Sequence, residues 1–114
     1  MTEQQRPGEQ IVDQAMSWPG VDAQTGDRGE LSLRVDGREL GHLHGDRSAH
    51  FVFPKPLWAK LFEQERIDYH PVFPGKPGFA ARSIDTDDDV RDVVALLRLN
   101  YYRLVARHGQ PAEV

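Results

Sequence analysis

The chain has 114 residues, 18 acidic against 14 basic side chains, a formal net charge of -4 and no cysteine. The missing thiols exclude a disulfide scaffold, a cysteine-ligated zinc or iron–sulfur centre and a thiol nucleophile, and the acidic balance argues against a phosphate-dominated nucleic-acid partner. The 11 arginines run from Arg6 to Arg107 interleaved with acids, so they form no basic stripe. No apolar run approaches the ~20 residues that span a bilayer, and segment 1–6 is polar, so no membrane partner and a cytoplasmic location are expected. The length predicts one domain.

Residues 1–7 read as a disordered arm ending at Pro7. Ile11, Val12, Ala15 and Met16 recur at helical spacing until Pro19-Gly20, which predicts a helix near 8–17. The period then changes to two: Leu31, Leu33 and Val35 alternate with polar residues, and Asp36-Gly37 signals a tight hairpin. Folding about that turn pairs Leu33 with Leu40 and Leu31 with His42. A second turn at Asp46-Arg47 sets His44 opposite Ala49 and His42 opposite Phe51. In this register His42 and His44 share the apolar face with Leu40, Phe51 and Phe53, while His50 falls on the other face with Leu43.

Pro54-Lys55-Pro56 opens a second helix carrying Leu57, Trp58, Leu61 and Phe62 on one side. Two short strands, near 67–73 and 78–84, are expected around the irregular 74–78 loop. A last helix starts at the acidic run Asp85 to Asp89, which suits a cap and the helix dipole. It carries Val90, Val93, Val94, Leu97, Tyr101 and Leu104 on one face and ends at His108-Gly109. The expected architecture is α+β: two layers, an antiparallel sheet of about five strands, and helices packed on one face. The domain is expected over 8–109, with 110–114 as a tail.

The densest chemistry lies in Gly41-His42-Leu43-His44-Gly45-Asp46. Two histidines at i and i+2 of a strand point to one face, and His70, in a later strand beside the irregular loop, is the natural third. The three suit either proton transfer near neutral pH or, as the alternative, ligation of a divalent metal by His42, His44 and His70. Asp46 would orient one of them. Gly41 and Gly45 permit close approach of a ligand or of another backbone, and Trp18 offers an aromatic wall or a core cap. Asp87, Asp88 and Asp89 point in different directions along a helix and read as dipole complementation. No nucleophile elbow, phosphate loop or HExxH motif is present.

Taken together, Trp18-Pro19-Gly20-Val21, the glycine-flanked His42-Leu43-His44-Gly45-Asp46, Phe51 to Pro54, His70-Pro71-Val72-Phe73-Pro74 with Gly78, and Leu96-Leu97-Arg98-Leu99-Asn100-Tyr101 resemble the luciferase-domain family over about 11–107. That family holds many small bacterial proteins and the oxygenase of fungal bioluminescence. The resemblance implies oxidation of a hydroxypyrone-type small molecule with oxygen and no metal or organic cofactor. It carries over to His42, His44, Asp46 and His70. Where the family usually has Gly-Trp, this chain has Gly78-Phe79, which implies an altered ligand pocket around Phe79.

Two functions remain open on these residues. One is a histidine-lined small-molecule site, catalytic as an oxygenase-type enzyme with a histidine as base, and it predicts that the three histidines converge on a concave pocket. The other is a non-catalytic ligand-binding or interaction module, with a homodimer or partner patch away from residues 41–46.

Overall fold

The computed structural model describes residues 5–109. The first four positions of the expected arm and the 110–114 tail lie outside the described residues. Among those described, the order is α1 (Pro7–Met16), β1 (Val21–Thr25), β2 (Leu31–Val35), β3 (Arg38–His44), β4 (Ser48–Val52), α2 (Lys55–Glu63), β5 (Asp68–Tyr69), β6 (Phe79–Ser83) and α3 (Asp87–His108). The strands form one antiparallel sheet in the order β1-β2-β3-β4-β6-β5. The architecture is the expected two-layer α+β, with six strands rather than five. The extra strand is β1, whose Val21-Asp22-Ala23-Gln24-Thr25 has too little apolar alternation to announce itself. β5 shrinks to Asp68–Tyr69, and 70–78 becomes a series of turns.

Each helix starts for a local reason. Pro7 occupies the first turn of α1, where a missing N–H is harmless. Thr86 caps α3 in a reciprocal box: its hydroxyl accepts from the Asp89 N–H, and the Asp89 carboxylate accepts from the Thr86 N–H. The α1 and α3 helices pack on each other and cover one sheet face. Ile11, Ala15, Val93, Leu96 and Leu97 meet Leu33, Leu40, Leu43, Ala49 and Phe51 in the core, and full burial of each Leu or Phe is worth about 1.5–3 kcal/mol. No described helix is long and apolar enough to cross a membrane.

The register differs from expectation in the strand that carries the histidine motif. The Asp36-Gly37 turn has positive φ at both positions, 50° and 76°, as a type I′ hairpin requires. Val35 pairs with Arg38 and Arg34 with Glu39, but Leu33 then pairs with Gly41 and Leu31 with Leu43. Leu40 is therefore the extra residue of a β-bulge. The second turn spans 45–47 rather than Asp46-Arg47 alone, with Gly45 at φ 62°, so that His44 faces Ser48, Leu43 faces Ala49 and His42 faces His50.

Each change shifts the register by one residue, and the two cancel across β3. Leu33, Ala49, Phe51 and Phe53 keep the predicted core face, while residues 41–44 are inverted. Leu43 is buried in the core, and His42 and His44 turn to the opposite, open face of the sheet. The expectation that these two histidines lie on the apolar face is thereby corrected. The bulge is held from the helical layer: the Asn100 side-chain amide of α3 donates to the Leu40 carbonyl at 2.9 Å and to the Val52 carbonyl at 3.1 Å.

Candidate functional site

Pairing across the open face builds one transverse row. Ser32 of β2 stands beside His42 of β3, His42 beside His50 of β4, His50 beside Ala81 of β6, and Ala81 beside Asp68 of β5. His44 follows His42 on the same face by the two-residue period. The small Ala81 side chain leaves room over the row, and His70, at the start of the 70–78 turns, brings its ring over His50.

Four imidazoles meet there. Ring centroids are separated by 5.0 Å for His42 and His44, 5.2 Å for His42 and His50, 4.4 Å for His44 and His50, and 4.1 Å for His50 and His70. None of these pairs stacks; all are tilted or edge-on. The cluster continues into aromatic residues: Phe73 lies 5.3 Å from His70 and stacks on Phe79 at 4.3 Å. The Phe53 N–H bonds the Gly78 carbonyl at 2.9 Å, and the Trp58 indole N–H bonds the Phe79 carbonyl at 2.9 Å. These contacts fasten the far end of the turns to β4 and α2.

Hydrogen bonds fix what two of the rings present. His42 Nδ1 lies 3.3 Å from a Glu39 carboxylate oxygen, whose other oxygen accepts from the Ser32 hydroxyl at 2.8 Å. With its Nδ1–H donating to the Glu39 carboxylate, the neutral His42 tautomer carries its lone pair on Nε2. His70 is the converse. Its Nδ1 accepts from the Val72 N–H at 3.1 Å, so the neutral ring carries its proton on Nε2 and presents a donor. His50 is 8% exposed, and its Nδ1 has no hydrogen-bond partner.

Electrostatics disfavours charge on three of the four imidazoles. Burial, and then the His70, His44 and His42 rings, hold His50 down to about 4. His44 and His70 are also pushed below the ordinary imidazole value, first by burial and then by neighbouring histidines. The hydrogen bond from His42 keeps the Glu39 carboxyl below its usual range. At neutral pH the arrangement is an anionic Glu39 carboxylate beside His44, His50 and His70 rings whose nitrogens are available as lone pairs and donors.

The sequence candidates divide accordingly. His42, His44 and His70 come together, and Phe79 adjoins them through Phe73. Asp46 is not used to orient a histidine; its carboxylate accepts from the Gly8 N–H at 2.8 Å, in the first turn of α1. Together with Gly45 it lines a separate cavity of about 320 Å³ between α1 and the sheet. Gly41 faces the core, where α3 packs against it. Trp18 lies in the helical layer, buried, 5.5 Å from the Tyr101 ring and under the Arg98 guanidinium.

His50 and Glu39 are members that the sequence reading missed. Leu40 and Leu43 are both apolar yet three residues apart in a strand, with Gly41 between them. That spacing breaks period two and is the signature of a bulge; applied to β3, it puts His50 on the face of His42 and His44.

With this geometry in place, comparison with known proteins gives one match. The family model described as Luciferase domain matches residues 37–100, more than half of the chain and the whole stretch from the bulge to Asn100. No curated protein and no solved structure matches.

Proposed function

Since the chain belongs to the luciferase-domain family, we propose that its open-face histidine cluster binds a small, planar, acidic molecule of the enol type and promotes its reaction with dioxygen. The observation that carries this reading is the Glu39–His42 pair set among His44, His50 and His70. A neutral imidazole whose Nδ1–H is held by a carboxylate is oriented to take a proton at Nε2, and the carboxylate stabilises the imidazolium that results. The His70 Nε2–H meets the oxygen that gains negative charge, and Phe73 and Phe79 offer an apolar flank to a flat ring.

The chemistry balances without further reagents. His42 removes the proton of the enol hydroxyl; the enolate passes one electron to dioxygen; the two radicals join in a C–O bond at the enolate carbon; and the imidazolium returns the proton to the peroxide. The enol and O2 become a hydroperoxide beside a carbonyl.

The test uses 4-hydroxy-2-pyrone as probe, with oxygen uptake and equilibrium binding measured on the full-length protein. Wild type is expected to bind it and consume oxygen. His42→Gln and Glu39→Gln are expected to lower turnover by roughly 10²–10⁴-fold, the usual share of a positioned base. Binding without oxygen uptake would leave a non-catalytic ligand site, and no binding in any state of the protein would overturn the reading.

A further inference from the structure

We infer that His42, His44 and His50 form a binding site for one first-row divalent cation, with Glu39 and Ser32 as its outer support. The inference rests on the proposed function only for the ligand such an ion would meet, and the ion site stands on geometry of its own. It departs from the metal-free chemistry that the family resemblance implies.

The ligating atoms of the three side chains all lie within 4.8 Å of one another. A four-coordinate ion with M–N bonds of about 2.0–2.1 Å needs nitrogens about 3.3 Å apart, so the ligating atoms must close in by up to about 1.5 Å. Rotation of side chains on fixed strands supplies that movement, because His42 and His50 are directly paired and His44 is two residues along β3. Three imidazole nitrogens on one face leave the outward side of the ion open. This is the layout of a site that takes an exchangeable ligand rather than of a closed structural centre.

Two further observations point the same way. The Glu39 carboxylate on His42 Nδ1, itself held by Ser32, is the carboxylate–histidine support that metal-ligating imidazoles carry; it fixes the tautomer and aims Nε2 at the ion. The His50 ring, nine-tenths buried, keeps an Nδ1 with no partner. An orphaned buried nitrogen is unfavourable, and an ion in front of it would relieve that.

The donor set also selects the guest. Imidazole nitrogen without carboxylate oxygen in the first sphere suits Zn2+, Co2+, Ni2+, Cu2+ or Fe2+ and disfavours Mg2+ and Ca2+. His70 stands outside the triad, its Nδ1 already engaged by the Val72 N–H, and it remains a donor toward whatever the ion holds. With the ion in place, the His42 lone pair is a metal ligand, and an acidic small molecule arrives as its anion, having lost its proton to water.

The experiment titrates chelator-stripped full-length protein with Co2+, followed by visible ligand-field absorption, and with Zn2+, followed by calorimetry. One equivalent is expected to bind. His42→Gln, His44→Gln and His50→Gln should each abolish the Co2+ spectrum, Glu39→Gln should weaken binding roughly 10–100-fold, and His70→Gln should leave stoichiometry and spectrum unchanged. Circular dichroism checks the folding of every variant, and paramagnetic broadening by Co2+ of imidazole resonances in the wild-type protein locates the ion without any substitution. Absence of a Co2+ complex, or broadening centred elsewhere, overturns the inference. Pyrone binding and oxygen uptake by a protein that forms no Co2+ complex would sink the metal site while sparing the proposed function. Metal binding with no pyrone binding, loaded or stripped, would do the reverse.

Discussion

A Cβ placed on Gly41 would lie 2.9 Å from the Leu97 side chain, 2.9 Å from the Phe51 ring and 3.0 Å from the His50 carbonyl oxygen. Two of these neighbours belong to the packed core and the third is backbone, so none gives way easily. Gly41→Ala should lower stability by about 1–3 kcal/mol, the usual range for overpacking, read as a shifted urea midpoint at unchanged slope. Because the crowded carbonyl belongs to His50, relief by displacement of β4 also moves that imidazole. The substitution should therefore perturb the His50 ring resonances, although it sits on the far face of the sheet. A change below about 0.5 kcal/mol would show that the α3–β3 contact is looser than its geometry indicates.

At the scale of elements, the bulge in β3 decides which face the histidines occupy, and Asn100 of α3 is what holds it. Its amide satisfies the Leu40 and Val52 carbonyls, and its own carbonyl oxygen accepts from Arg103 Nε at 3.2 Å. Asn100→Ala should lower stability by roughly 2–4 kcal/mol, since two carbonyls lose their partner at about 1–3 kcal/mol each when left buried. It should also loosen residues 40–44, visible as faster amide exchange there. Uniform exchange across the sheet would count against this clamp. The start of α3 makes a second, pH-dependent case. Hydrogen bonds from the Asp85 and Thr86 N–H groups and the Arg82 guanidinium hold the Asp89 carboxyl below its usual range. A carboxyl depressed in the folded state binds fewer protons there than in the unfolded chain. Its stabilisation is thus complete above the unfolded value near ~3.9 and fades as pH falls through the folded one. Asp89→Asn should destabilise by about 1 kcal/mol at neutral pH, as loss of a cap does, and the gap from wild type should narrow below about pH 4. A gap that stayed constant with pH would remove the charge from the explanation. These elements also show what the chain makes readable. The Asp36-Gly37 turn, the alternation of β2 and β4, and the acidic start of α3 act through neighbours in sequence, and each lies where its pattern puts it. The facing of β3 does not act that way: it depends on a bulge whose clamp, Asn100, sits some 60 residues downstream. Glu39 was hidden for the same reason, since only the bulge places it beside His42. His70 could be named as the third histidine, but its approach to His50 depends on how the 70–78 turns fold back.

For the whole molecule, the two faces of one sheet carry different duties. The covered face holds the core, with Leu33, Leu40, Phe51, Val93, Leu96 and Leu97 almost fully excluded from solvent. The open face holds polar residues in an arrangement that a stability optimum would not select: four imidazoles in contact, three with depressed basicity, and a buried nitrogen without a partner. Such a conflict between local rule and placement is characteristic of functional sites, and removing it should raise stability as function is lost. The sharpest substitution is His50→Val, which puts a good strand former at the centre of β4 and deletes the orphaned group. It is expected to raise the unfolding free energy of metal-free protein by about 1–2 kcal/mol, within the usual penalty for such a group, and to abolish Co2+ binding. His44→Gln, at an exposed position, should abolish the metal signal with little change in stability. In wild type, added Zn2+ should recover the deficit, since a ligand at 100 times its Kd stabilises by about 2.7 kcal/mol. Thermal melts of wild type, His50→Val and His44→Gln, each with chelator and with Zn2+, carry the decision. If His50→Val melts lower than wild type in chelator, the buried imidazole has structural partners that its geometry does not reveal, and the division of duty between the faces fails.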